Sequence, residues 1–209
     1  MVLLLALPLL AVACGDDGTE LPTPLMPKEE PPLPTAATAE EELLASMALT
    51  AEEVGEVFPG GGEWIVFSVP QESTPDEEPP LEQVAGWVAD YNPKEVVIEE
   101  VGEVLAVNTL LLLFETTDDA GRELQEWTRL ALEVGAGVEI TEFDAGDIGD
   151  EARGQVNRTP EVYTFVWLRV DRVLADIMLP LGLSDEERQE EALRLARKLA
   201  EKIEARLQE

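Results

Sequence analysis

The alternation of apolar and polar positions divides the chain into short strands and longer helical stretches, punctuated by proline, glycine and acidic clusters. Residues 40 to 57 read as a helix in two pieces. EEELLASMAL comes first, and the helix restarts at Thr50, where Glu53 three residues on completes a capping box. Pro59-Gly60-Gly61-Gly62 stops it, and Trp64 to Val69, rich in β-branched and aromatic residues, is the first strand. An exposed acidic loop, QESTPDEEPP, spans 71 to 80. Leu81 to Asn92 carries a mixed signal: LEQVAGW winds as a helix turn while WVADY alternates as a strand. A short helix leading into a strand at about Trp87 is expected. Val96 to Val101 and Val104 to Phe114 flank Gly102-Glu103 as a hairpin. From Leu110 onward the second of these is apolar on both faces, which places it centrally in a sheet, covered on at least one side by helices.

Thr117-Asp118-Asp119 opens the best-marked helix. Ala120, Leu124, Trp127, Ala131 and Val134 form one apolar stripe, and Gly135-Ala136-Gly137 ends it. Val138 to Phe143 returns as a strand, and Ala152 to Val156 forms another short one. Val162 to Leu179 reads as two long strands around Asp171-Arg172, with Tyr163, Phe165 and Trp167 on one face and Val162, Val166 and Leu168 on the other. Ser184-Asp185-Glu186-Glu187 is a further capping box, starting a helix to about Leu207 whose inward stripe is Ala192, Leu195, Ala196, Leu199 and Ile203. Strands in runs with two long helices inserted argue an α+β fold: an antiparallel sheet with both long helices packed on one face.

The N-terminal pattern is of another kind. Val2 to Ala13 carries no charge, and its apolar core of about a dozen residues suits a signal sequence and falls short of the ~20 that cross a bilayer as a helix. Ala11-Val12-Ala13 are small, and Cys14-Gly15 follows. This stretch resembles the bacterial lipobox, with Ala11 where Leu or Val is usual. The resemblance implies that the Cys14 thiol receives a diacylglyceryl group, that Cys14 becomes the mature N-terminus, and that acyl chains such as palmitate anchor it to the membrane. Residues 1–13 are then the signal peptide. Residues 14–39, with six prolines between Gly15 and Ala39, are a Pro/Glu-rich tether. At ~3.1 Å per residue that tether reaches roughly 75 Å when fully extended. Residues 40–209 form a single α+β domain.

Composition narrows the chemistry. Forty-five acidic residues stand against 14 basic ones, for a net charge of −31, and there is no histidine. Such a field repels nucleic-acid phosphates, so nucleic acid is excluded as a partner, while cations and basic partners are favoured. Without histidine, and with Cys14 the only cysteine and assigned to the anchor, Ser-His and Cys-His pairs and thiolate or imidazole zinc sites cannot be built. Gly60-Gly61-Gly62 precedes a strand, so it is no phosphate loop. An enzyme is therefore not expected, and no cofactor beyond the covalent lipid on Cys14 is called for.

Three features remain as candidates. Asp144, Asp147, Asp150 and Glu151 lie within eight residues among two glycines and could offer oxygens to calcium; their spacing fits no EF-hand frame, and a solvated turn with glycines at positive φ is the simpler reading. Arg194, Arg197, Lys198, Lys202 and Arg206 gather on the last helix, either to dock an acidic group or to complement the helix dipole. Trp64, Trp87, Trp127 and Trp167 sit inside apolar periodic segments and read as core; an aromatic platform for a ligand would need two of them on one concave face.

PGGGEW leading into the first strand, the TTDDAGRELQEW helix, the IGDEA corner at Ile148 to Ala152 and the final hairpin followed by ALRLARKLAEKI together resemble small exported bacterial lipoproteins, and more distantly PsbP- and Mog1-type and sensor-type extracytoplasmic domains. Asp171-Arg172 stands where those relatives carry Gly-Asn. The resemblance implies a lipid-anchored module on the extracytoplasmic face of the cell membrane, periplasmic or at the cell surface, binding an envelope protein or a small ligand. A carboxylate-dependent hydrolase and a calcium-binding envelope protein are the alternatives.

Overall fold

The computed structural model describes residues 36, 38–58, 62–71, 83–94, 106–133, 138–158, 162–179 and 185–209. Cys14, most of the tether, the 71–80 loop beyond Gln71, the 96–101 half of the expected hairpin, Val134 and Ser184 lie outside them.

Two capping boxes start the fold. Thr38 caps α1 (Ala39–Met47) with Glu41, and Thr50 caps α2 (Ala51–Val57) with Glu53, as the spacing indicates. Seven strands follow: β1 (Trp64–Pro70), β2 (Gln83–Pro93), β3 (Val107–Phe114), β4 (Glu139–Phe143), β5 (Glu151–Arg158), β6 (Val162–Val170) and β7 (Val173–Leu179). Helix α3 (Thr117–Glu133) lies between β3 and β4, and α4 (Asp185–Leu207) closes the chain. The strands form one sheet in the order β1-β2-β3-β7-β6-β5-β4, every neighbouring pair antiparallel. The protein is α+β, with an antiparallel sheet carrying helices.

Two expectations need correction. The stretch from 81 does not begin with a helix: β2 is extended from Gln83, because Ala85, Trp87, Ala89 and Tyr91 alternate into the core and both flanking strands take its backbone hydrogen bonds. Nor do the two long helices share a face. Helices α1, α2 and α4 cover one side of the sheet, where Leu44, Met47, Leu111, Leu113, Ile177, Leu195 and Leu199 make the main core. Helix α3 packs on the other side, against Leu112, Phe114, Trp167 and Leu174. The apolar stripe of a helix says that it lies on a sheet. It does not say which face.

The main core is tied together by polar contacts at its rim. The hydroxyl of Tyr91 donates to the carbonyl of Leu49 at 2.8 Å, pinning the α1–α2 joint to β2, and burial raises the pKa of that phenol. Lys198 and Lys202 on α4 pair with Glu56 and Glu53 on α2 at 2.7 and 2.8 Å. Glu53 is partly buried, which works against ionisation, yet the Lys202 and Thr50 hydrogen bonds hold its pKa below the ordinary carboxylate value. The basic residues of the last helix thus include two that clamp α2, and Arg194 and Arg206 pair with Glu190 and Glu209.

Candidate functional site

On the α3 face, side chains of the sheet line up in cross-strand rows. One row runs Val69, Val88, Leu110, Asp176, Trp167, Arg153 across β1, β2, β3, β7, β6 and β5. The N-terminal half of α3 closes over this face: Thr116 caps the helix through the Asp119 N–H, and Ala120 and Leu124 are fully buried. The C-terminal half closes less. Trp127 and Ala131 are only partly buried and Leu130 is 44% exposed.

Beneath that half of the helix lies a groove of about 780 Å³, within the usual range for small-molecule sites. Its floor is Leu110, Leu112, Asp176, Trp167 and Phe165, its roof is Glu123, Trp127 and Leu130, and Gln71 with Gln83 forms one side. Gln83 donates to Gln71 at 3.2 Å. Gly86 makes room for that wall, since a Cβ there would sit 2.7 Å from the Cβ of Gln71.

Each carboxyl in the groove is held by an indole. Trp127 Nε1 donates to Glu123 Oε1 at 2.8 Å, one helical turn apart, and the Trp167 indole donates to the carboxyl of Asp176, its partner across the β6–β7 ladder. The two rings meet edge to face with centroids 6.5 Å apart, and Phe165 stacks at a tilt on Trp167 at 6.0 Å. Burial, only partly offset by the indole bond, pushes the pKa of Asp176 up to about 7. Glu123 is raised for the same reason, again against its indole bond, and neighbouring Glu126 adds to the rise. Asp176 Oδ1 is out of contact with solvent and accepts no hydrogen bond from any described residue.

The sequence-derived candidates are distributed differently. Asp144 accepts from the Gly146 N–H at 2.9 Å, and Gly146 and Gly149 adopt positive φ. Asp150 Oδ2 accepts from the Asp171 N–H at 2.6 Å and from the Arg169 guanidinium at 3.1 Å, while Glu151 pairs with Arg153. Among the described residues no three metal-ligating side chains converge; Asp144, Asp147, Asp150 and Glu151 lie along a turn whose Asp150 braces the β6–β7 hairpin. Trp64 and Trp87 are in the main core, whereas Trp127 and Trp167 share the groove. Sequence reasoning passed over Asp176 and Glu123. The signal for Asp176 was present: a single carboxyl inside the apolar strand VLADIML.

No protein-family model matches the sequence, and no curated protein matches it either. In fold it is similar to the extracellular domain of PknH from Mycobacterium tuberculosis. The TM-score is 0.56 at 14% identity, over 80% of this chain and 97% of that domain. At that identity the likeness is one of fold. Among the described residues no helix is long and apolar enough to cross a membrane.

Proposed function

We propose that this protein is a lipid-anchored extracytoplasmic binding module whose α3 groove takes a small ligand. The groove carries the reading: two acids and three aromatic rings converge there, and one buried carboxyl oxygen has no protein partner among the described residues. The export half rests on LLLALPLLAVACG and is supported by the fold's likeness to an extracellular domain.

Two acids in a groove also favour the hydrolase reading. Hydrolysis by a carboxyl pair, however, needs carboxyls free to exchange protons with substrate and water. Here each carboxyl is already engaged by a neighbouring indole N–H, which supports binding over catalysis.

Fatty-acid labelling of the full-length protein in a bacterial host tests the anchor. The wild type takes label and fractionates with membranes, and Cys14→Ser takes none and is released. Recovery of the wild type from cytosol with an unmodified Cys14 overturns the anchored reading.

A further inference from the structure

The chemistry of the groove selects among ligands. Among the described residues its lining holds two carboxyls, two glutamines, three aromatic rings and three leucines, and neither Lys nor Arg. An anion would meet Glu123 and Asp176 with no positive charge among the lining residues to compensate. A neutral apolar molecule would leave Asp176 Oδ1 buried beside hydrocarbon and unsatisfied, at the full cost of its desolvation. An ammonium group relieves that cost, because its N–H donors supply the missing hydrogen bond and its charge balances the carboxylate. The rings add to this: Trp127 and Trp167 meet edge to face, and indole faces attract cations. The chain's net charge of −31 raises the local concentration of any cation around it.

Resting on the groove reading above, we propose that the groove is a site for a small organic cation, an amine with an apolar body, whose ammonium lies against Asp176 and Glu123 and whose body lies among Trp127, Trp167 and Phe165. Leu110, Leu112 and Leu130 complete the apolar envelope. Binding then brings the ammonium to Asp176, whose Oδ1 accepts no hydrogen bond from any described residue.

Three probes of one shape separate the possibilities: phenethylammonium, neutral 2-phenylethanol and anionic phenylacetate. Each is titrated at pH 8 into the full-length wild type and into Asp176→Asn, followed by tryptophan fluorescence and calorimetry. Phenethylammonium binds the wild type at least about tenfold more tightly than 2-phenylethanol, phenylacetate does not bind, and Asp176→Asn removes the cation preference while 2-phenylethanol binds as before. Equal binding of the cation and the alcohol to the wild type overturns the cation assignment and leaves the groove reading standing. Binding of none of the three overturns both. Should Asp176→Asn fail to fold by circular dichroism, the wild-type ratio decides, and Glu123→Gln serves as the second variant, expected to weaken the cation selectively.

Discussion

Trp167 and Asp176 stand directly opposite each other across the β6–β7 ladder, and the indole N–H of one donates to the carboxyl of the other. This single contact leaves the carboxyl half satisfied. The folded pKa of about 7 lies above the ordinary value of 3.8, so between those pH values the folded state holds a proton that the unfolded chain has released. Stability contributed at this position is therefore greatest below about pH 4, falls as pH rises through the window, and is flat above about 7. Asp176→Asn keeps an acceptor for Trp167 and cannot ionise. Its melting temperature relative to wild type is expected to rise from pH 5 to pH 8, by an amount equivalent to on the order of 1–4 kcal/mol. A difference that does not change with pH would show that the carboxyl titrates normally.

Tyr91 and Leu49 are 42 residues apart in sequence and 2.8 Å apart in space, and the phenol is wholly buried. Tyr91→Phe removes the donor and leaves a buried carbonyl unpaired. It is expected to destabilise by about 1–2 kcal/mol in urea unfolding, without change in the slope of the transition. A cost near zero would mean that Leu49 finds another donor.

Gly149 takes φ of +60°, and a Cβ there would fall 2.5 Å from the carbonyl oxygen of Arg169. The neighbouring bond, from the Asp150 N–H to that same oxygen at 2.8 Å, leaves no slack. Gly149→Ala is expected to cost ~3 kcal/mol, measured by thermal unfolding, from the left-handed backbone and the clash together. Gly146→Ala, which shares the positive φ but meets nothing within 4 Å, should cost less. Equal costs would remove the Arg169 contact as the cause.

Local sequence signals found most elements because each depends on residues close together. The Thr50–Glu53 capping box, the α3 stripe and the face assignments of Phe165, Trp167, Val166 and Leu168 all rest on spacings of two to four residues. The β2 segment was misread because its extended form is decided by β1 and β3, which supply partners that no window of LEQVAGW contains. The hairpin at Asp171-Arg172 formed without glycine or asparagine. Asp171 accepts φ of +53° and is braced by Asp150 and Thr117, from 21 and 54 residues away.

What the sequence determined by itself was the α+β class, the antiparallel run of strands, the amphipathic faces and a strongly acidic character, since all of these follow from composition and short-range periodicity. Which face α3 covers, the placing of Glu123 and Asp176 in one groove, and the edge-to-face contact of their tryptophans were decided only by the tertiary structure. Strand order sets which side chains share a row, and Asp176 acquires its chemistry from Leu110 and Trp167 on either side of it, residues that the linear chain keeps 66 and 9 positions away.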